Sequence, residues 1–311
     1  MERTPQRLWS MPRTAWVVAG LAVFVAVDIV LIALALGWGR DAPRVVERGA
    51  SVESSFQAED DSEETLDEPL QSAAPEEPRV APRLISAVSE TVAWRSEGGA
   101  CAERSEIELT VDGGQTWGSA YPAVDRLGRP LWLSGADYLA VQSAIASGPD
   151  CERQGIRTYD SGASWTQDDQ VVTNSVLVDP GDPSLVIWGG DAVEGPCDDT
   201  HQVAVTGGVA AAVCSDGSVW TTPMGSTGWS ESSIEAAVAL SGSDGRWMAA
   251  VESADCQGLR LVEFDDASAE SYACAPAEAA AEVAIDLSGN ALWLWSGDQV
   301  MISTDFGRSF N

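Results

Sequence analysis

One eight-residue pattern occurs three times in this sequence and constrains the fold more than any other feature. Its consensus is [ST]-x-D-x-G-x-[TS]-[WF], and the three copies, here called the corner octets, are Thr110–Trp117, Thr158–Trp165 and Ser303–Phe310. They align without gaps and agree in residue type at five positions. Chance matches of this kind are rare in one chain, so the pattern indicates a repeated structural unit.

The residue types in the octet predict a tight hairpin turn. A carboxylate can accept hydrogen bonds from main-chain N–H groups two or three residues further on. A glycine two residues after the Asp permits a positive φ at little strain, and the final aromatic is expected to enter a core between sheets. The structural residues predicted in this way are Thr110, Asp112, Gly114, Trp117, Thr158, Asp160, Gly162, Trp165, Ser303, Asp305, Gly307 and Phe310. Because these acids hold turns, none is predicted to be catalytic.

The region 81–311 consists of short apolar or alternating runs separated by Gly, Asp, Ser and Pro. Examples are Leu84–Val88, Val176–Val178, Leu185–Trp188 and Ala291–Trp295. Short runs rich in β-branched and aromatic residues, bounded by turn formers, are typical of an all-β architecture. The one helix-like run, at 275–284, is too short to change this prediction.

The octet resembles the Asp-box (BNR) repeat of sialidase-like, sortilin-like and photosystem-II-assembly-factor-like β-propellers. The stretch Val176–Gly190 is similar to the segment that joins the first two strands of a blade in those proteins. The resemblance covers about three-quarters of the chain and implies a β-propeller of five four-stranded blades, with six as the alternative. It implies no particular activity, because Asp boxes occur in enzymes and in binding modules.

The final octet ends close to Asn311, so a segment at 79–88 is predicted to pair with the last blade and close the ring. Closure matters because an open ring leaves unpaired strand edges. Degenerate copies of the repeat are expected near Ser218–Trp229 and Phe264–Tyr272.

Residues 15–38 form an apolar run with a single charge, Asp28. At 1.5 Å per residue such a run crosses a hydrocarbon core of about 30 Å. Arg residues before it favour a cytoplasmic N-terminus at 1–14 and a C-terminal domain outside. The run is long for a signal peptide and lacks a small-x-small cleavage site, which favours an uncleaved single-pass anchor. Asp28 either contacts another membrane helix or has no such role, its insertion cost being offset by the apolar residues around it.

The segment 39–80 is acidic and rich in proline, with seven acids among residues 59–68. It has too little apolar surface to offset its ordering entropy and is predicted to be a disordered linker. A docking site for a basic partner is the alternative.

All six cysteines follow the apolar run, at Cys101, Cys151, Cys197, Cys214, Cys256 and Cys274. An even number outside the membrane favours disulfides. Nearest-in-sequence pairing predicts Cys197–Cys214 and Cys256–Cys274, and Cys101 and Cys151 occupy equivalent loops that could be bridged. A metal site is disfavoured because there is no CxxC pair and His201 is the only histidine.

The charge balance limits the class of partner. The chain has 48 Asp and Glu residues against 17 basic residues, a formal net charge of −31, which opposes nucleic-acid binding. No cofactor and no metal are predicted. The best interpretation is a non-catalytic cell-surface binding or scaffold module on the outer face of the cytoplasmic membrane, with an extracellular protein or glycan as ligand.

Two alternatives remain open at this point. A sialidase-like glycosidase would need an arginine triad, a Tyr–Glu pair and an Asp acid, but the Arg-Ile-Pro signature of that family is missing. An assembly factor for a membrane complex would use Asp28 as an intramembrane contact.

Overall fold

The computed structural model describes residues 82–97, 105–120, 128–148, 150–226, 228–265, 268–277 and 282–310. Over these ranges the chain forms six antiparallel sheets of three or four strands. In every sheet consecutive strands are hydrogen-bonded neighbours, so each sheet is a simple meander. The six sheets are the blades of a β-propeller and are numbered here in chain order.

The first three blades contain the only helix of the described ranges. Blade 1 consists of β1 (Leu84–Ala87), β2 (Ala93–Ser96), β3 (Ile107–Thr110) and β4 (Gly118–Ser119). Blade 2 consists of β5 (Arg129–Gly135), β6 (Val141–Ser147), β7 (Glu152–Thr158) and β8 (Thr166–Gln167). Helix α1 (Asp169–Asn174) then precedes blade 3, which consists of β9 (Val176–Val178), β10 (Leu185–Trp188) and β11 (Asp191–Glu194).

The last three blades follow without a helix. Blade 4 consists of β12 (Thr200–Thr206), β13 (Val209–Cys214), β14 (Val219–Pro223) and β15 (Ser230–Glu231). Blade 5 consists of β16 (Ala237–Ser243), β17 (Arg246–Glu252), β18 (Leu259–Phe264) and β19 (Ala269–Ala275). Blade 6 consists of β20 (Val283–Ser288), β21 (Ala291–Ser296) and β22 (Gln299–Ser303).

In blades 4 and 6 the second strand is the most deeply buried one. Every residue of β21 is buried, and only the first residue of β13 is not. Such strands read as continuous apolar runs because both of their faces pack against neighbouring blades. The outermost strand β19 is largely exposed and alternates poorly. The core is therefore a series of layers between adjacent blades rather than one central cluster.

The first strands of the blades stand side by side around the axis. In ring order they are β1, β5, β9, β12, β16 and β20, and β20 lies beside β1. The predicted preference for five blades is wrong, since the structure has six. The error arose from assuming units of similar length, whereas blade 3 is compressed into three short strands without an octet.

The predicted mode of ring closure is also wrong. The segment at Leu84–Ala87 pairs with β2 as the first strand of blade 1, and blade 6 has three strands in the described ranges. Side chains join the two blades instead. The Asp286 carboxylate accepts a hydrogen bond from the Ala87 N–H at 2.7 Å, and the Ser288 hydroxyl donates to the Val88 carbonyl at 2.7 Å. The Arg83 guanidinium donates to the Gly297 carbonyl at 2.5 Å.

Helix α1 was not expected from the sequence. The Asp168 carboxylate caps its N-terminus by accepting a hydrogen bond from the Gln170 N–H at 3.1 Å. Six residues are too few to reveal a helical period. Within the described ranges, no helix is both long and apolar enough to cross a bilayer. The predicted span at 15–38, Asp28 and the linker at 39–80 lie outside those ranges.

Candidate functional site

The three corner octets adopt the same hydrogen-bonded geometry. In the first, the Thr110 hydroxyl donates to Asp112 Oδ1 at 2.8 Å, and Thr116 donates its N–H at 2.9 Å and its hydroxyl at 2.6 Å to the same carboxylate. The strongest main-chain donor to the carboxylate thus lies four residues on, one position beyond the predicted range of two or three, and the Gln115 N–H three residues on makes a weaker contribution. The threonine hydroxyl also accepts the Gly114 N–H at 3.0 Å.

The other two octets repeat this set of bonds. Asp160 accepts from Thr158 and Ser164, and Asp305 accepts from Ser303 and Ser309, at 2.6–2.9 Å. The hydroxyl donors, led by the residue four positions on, lower the pKa of Asp160 and hold the pKa of Asp305, like that of Asp112, at about 2. These carboxylates are ionised acceptors at neutral pH, unsuited to donate a proton in catalysis.

The octet glycines bring each corner against the preceding blade. All three have positive φ, from 77° to 85°. A Cβ atom on Gly162 would lie 2.1 Å from the Ala120 carbonyl oxygen of blade 1, and one on Gly307 would lie 2.8 Å from Leu261 of blade 5. Only glycine fits such a close approach. The aromatic ends of the octets, Trp117, Trp165 and Phe310, are partly buried and pack against hydrophobic clusters shared with the preceding blade.

A concave site lies at one end of the central channel and is called here the channel mouth. Its volume is about 330 Å³, and blades 1 to 4 contribute to it. Its lining includes the first residues of β1, β5 and β12, namely Leu84, Arg129 and Thr200. The octets follow the last residues of third strands, which run parallel to first strands. The channel mouth therefore opens on the face opposite the octets.

The walls of the channel mouth combine apolar side chains with a few polar ones. The apolar lining residues are Pro82, Leu84, Pro130, Leu131, Leu177, Val178, Pro180, Pro183 and Val203. The polar lining residues are Arg129, Asp179, Asp199, Thr200, His201, Gln202 and Ser215. The lining is thus mixed, with nine apolar and seven polar residues, and apolar walls that carry placed polar groups are the usual form of a ligand site.

Arg129 and His201 are the basic groups of the channel mouth. Arg129 is only 8% exposed, and burial lowers its pKa to about 10, so it stays cationic at neutral pH. His201 is an exposed residue by surface area, yet many protein atoms lie around its ring within the mouth. That desolvation lowers its pKa, against the opposing charges of Asp199 and Glu282. The imidazole is therefore mostly neutral at pH 7 and can both donate and accept a hydrogen bond.

Two contacts fix the walls of the channel mouth. Arg153 Nη1 lies 2.9 Å from Asp179 Oδ2 and holds the turn after β9. A disulfide of 2.02 Å joins Cys197 to Cys214, and Cys214 pairs across the sheet with Thr200, directly before His201. This bond therefore restrains the strand that carries the imidazole.

The predicted cysteine pairing is confirmed for two pairs, since Cys256 is also bonded to Cys274. Cys151 is disulfide-bonded, while Cys101, its predicted partner, lies outside the described residues. Over the described ranges, no three His, Cys, Asp or Glu side chains form a group that could hold a metal ion.

One partly buried acid was missed by the sequence analysis. Asp286 lies on β20, where its carboxylate accepts from the Ser241 hydroxyl at 2.6 Å in blade 5 and from the Ala87 N–H in blade 1. Burial raises its pKa to about 6, although these hydrogen bonds oppose the shift. A signal was present in the sequence, because an Asp within the apolar run Val283–Leu287 is unusual. Arg129 carried no such signal.

No protein-family model matches the sequence, and no curated protein is significantly similar to it. Solved structures are similar at low identity. A GH74 enzyme from Niastella koreensis is 11% identical over 74% of this chain, with a TM-score of 0.42, and the match spans only 46% of that enzyme. YCF48 bound to a D1 peptide is 16% identical over 75% of this chain and 67% of its own, with a TM-score of 0.27.

A chain of the nidogen–laminin complex is 9% identical over 73% of this chain and 76% of its own, with a TM-score of 0.32. These similarities assign no ligand, reaction or partner to this chain.

Proposed function

We propose that this protein is a non-catalytic binding module whose ligand site is the channel mouth. The observation that carries the proposal is the construction of that site. A cavity of about 330 Å³ has nine apolar lining residues, a buried cation at Arg129 and a mostly neutral imidazole at His201. Rigid walls reduce the entropy lost on binding, and the Cys197–Cys214 disulfide provides this rigidity.

The lining favours a segment of a protein as the ligand. Four prolines and several aliphatic side chains offer an apolar surface for an apolar side chain. The neutral His201 imidazole can donate to a main-chain carbonyl oxygen, and Arg129 adds a positive charge to the lining. The net charge of −31 disfavours a strongly acidic ligand at long range. A glycan is the alternative ligand, and it would use the same donors.

We also propose that the corner octets are Asp boxes and that residues 15–38 anchor the propeller to the outer face of the cytoplasmic membrane. The matching hydrogen-bond sets support the first statement, and the disulfides support an oxidising compartment. Alkylation of single cysteines placed at 8 and at 45 in intact cells tests the orientation. Labelling at 45 alone supports it, whereas labelling at 8 alone contradicts it.

The sialidase-like alternative finds little support among the described residues. Tyr272 donates a short hydrogen bond to Glu263, which is the residue pair that chemistry would use. The pair lies on β18 and β19, the outer strands of blade 5, and not at the channel. Arg83, Arg95, Arg153 and Arg157 are each paired with a different carboxylate. Turnover of a chromogenic sialoside by the full chain would nevertheless support the sialidase-like alternative.

The binding proposal can be tested in the native membrane by site-specific crosslinking. A photoreactive phenylalanine analogue is placed at Val203, which lines the channel mouth, or at Met224, which is 44% exposed at the end of β14. We expect one protein or glycoconjugate to be crosslinked from position 203 and not from position 224. Equal crosslinking from both positions, or none from 203, would contradict the proposal.

A second pair of variants tests whether the cavity itself is used. Leu131→Trp fills the channel mouth, and Val205→Trp adds the same bulk at an exposed position on β12 outside the lining. Crosslinking from position 203 should fall at least tenfold in the first variant only. If the crosslinked species depends instead on residues 1–40 and on Asp28, the assembly-factor alternative is favoured.

A further inference from the structure

The octets allow the sequences of blades 1, 2 and 6 to be aligned with one another. The first octet residues are Thr110, Thr158 and Ser303, and they pair with Ala93, Val141 and Leu292 on the second strands. The next residue on each second strand is therefore equivalent in the three blades. It is Trp94 in blade 1, Gln142 in blade 2 and Trp293 in blade 6.

The two tryptophans fill the seam between their own blade and the next one. Both side chains are completely buried. The Trp94 indole N–H donates to the Asp137 carbonyl of blade 2 at 2.9 Å, and the Trp293 indole N–H donates to the Ser89 carbonyl of blade 1 at 2.7 Å. In both cases the acceptor lies in the turn between the first and second strands of the next blade.

First strands add a second bond across the same seams. The Ser86 hydroxyl accepts the Gly135 N–H of blade 2 at 2.9 Å, and Asp286 accepts the Ala87 N–H of blade 1. Ser86 and Asp286 pair with Trp94 and Trp293 across their own sheets. The equivalent residue in blade 2 is Ser134, which pairs with Gln142.

The seam after blade 2 lacks both features. Within the described ranges, neither the Ser134 hydroxyl nor the Gln142 amide has a hydrogen-bond partner. Both line a cavity of about 160 Å³, called here the seam pocket, which is lined by Ser134, Ala136, Ala140, Val141, Gln142, Arg157, Thr158 and Tyr159. All of these residues belong to blade 2 or its turns. Blade 3 contributes none of them, and its first strand has three residues, against seven in β5.

The rim of the seam pocket is aromatic. Tyr159 is 67% exposed and Tyr138, in the adjoining turn, is 53% exposed. The Arg157 guanidinium lies 5.5 Å from the centre of the Tyr159 ring and is held by Asp168 at 2.8 Å. Arg157 therefore presents a fixed positive edge beside the cavity.

We propose that the seam pocket binds an indole side chain donated by a partner protein. The chain itself closes two equivalent seams with an indole and leaves this one open, with two unpaired polar groups. Gln142 Oε1 can accept an indole N–H, and the Ala136, Ala140 and Val141 walls and the Tyr159 ring can enclose the aromatic face. A cavity of about 150 Å³ accommodates one aromatic ring in other proteins. The seam pocket lies on the octet face, opposite the channel mouth, so this site is distinct from the proposed ligand site.

The proposal can be tested with N-acetyl-L-tryptophanamide as the probe. The full chain is placed in lipid nanodiscs, and saturation-transfer NMR measures probe binding against empty nanodiscs. We expect saturable binding of this probe and at least tenfold weaker binding of N-acetyl-L-leucinamide. Non-saturable transfer, or equal binding of the two probes, would overturn the proposal.

Variants locate the binding. Gln142→Trp supplies the indole from within the chain, so probe affinity should fall at least tenfold. Val111→Trp adds an indole at the position equivalent to Tyr159 in blade 1, and probe affinity should stay within twofold of wild type. Ala140→Leu fills the pocket from another wall and serves if Gln142→Trp does not fold. Unchanged affinity in the pocket-filling variant that folds would overturn the assignment.

Discussion

The two seams on either side of blade 1 are packed differently from the seam between blades 2 and 3. Around blade 1, fully buried indoles from Trp94 and Trp293 fill the space between blades. Blade 2 meets blade 3 through a small cluster of Ala144, Leu177 and Ile187, and the seam pocket stays open beside it. The comparison teaches that this ring does not need equal seams, because strong closure at some seams allows others to remain available for binding.

Hydrogen bonds between the first strands of adjacent blades also differ between closed and open seams. Ser86, Ser241 and Asp286 each accept an N–H from the first strand of the following blade. Main-chain groups of first strands would otherwise lack partners at the seams, so these side chains substitute for strand pairing. Ser134 makes no such bond to the first strand of blade 3 within the described residues.

The sharpest way to break the comparison is to convert a closed seam into an open one. Trp94→Gln places in blade 1 the residue found in blade 2. We expect unfolding free energy to fall by about 3–5 kcal/mol, because a fully buried indole is lost and the Asp137 carbonyl loses its donor. Urea unfolding measures the loss. Trp229→Gln is the control, since that indole is only partly buried, and an equal loss in the two variants would refute the special role of the seam indole.

The two disulfides allow the channel mouth, beside blade 3, to be compared with a region away from it. Replacing Cys197 and Cys214 by Ser should cost about 3 kcal/mol, as should replacing Cys256 and Cys274, because their sequence separations are 17 and 18. Only the first pair restrains the channel mouth. Hydrogen exchange at 199–203 should therefore accelerate in the first double variant and not in the second. The same exchange pattern in both would show that the bond does not restrain this wall.

The stability costs of two Gly→Ala substitutions compare an octet corner with a turn of blade 3. Gly162 has φ +85°, and an added Cβ would lie 2.1 Å from the Ala120 carbonyl oxygen. Gly189 has φ +65° with open space around the same position. Both changes to Ala incur a backbone penalty of about 1–2 kcal/mol, and Gly162→Ala should cost about 1–3 kcal/mol more through overpacking. Thermal unfolding decides, and equal costs would mean that the corner is not a close contact.

The smallest effect concerns pH at the closed seam of blades 6 and 1. The pKa of Asp286 is raised from 3.8 to about 6 by burial. The folded chain thus binds more protons than the unfolded chain between these values, and stability falls as pH rises through that window. Asp286 has intermediate exposure, so solvent screening reduces the expected change below the full value of about 3 kcal/mol for such a shift. Asp286→Asn should flatten the profile between pH 4 and 6, and an unchanged profile would assign the proton uptake elsewhere.

Local chemistry made the corners predictable. The octet positions, the strands at Leu84, Val176, Leu185 and Ala291, and two disulfides follow from residue types close together in the chain. Degenerate corners were also located correctly, since the β14–β15 turn ends near Trp229 and Asp265 holds the β18–β19 turn through Ser268. Blade number was not predictable in this way, because blade 3 has no octet and its length departs from that of the others.

The sequence by itself determined the corners of the propeller, since a carboxylate, a hydroxyl and a glycine within eight residues complete their hydrogen bonds locally. Only the tertiary structure decided which residues meet across seams and at the channel. Arg129 and His201 are brought together by strands of different blades, and Gln142 faces a pocket to which blade 3 contributes no lining residue. Such contacts join residues far apart in the chain, and their geometry depends on the closure of the whole ring.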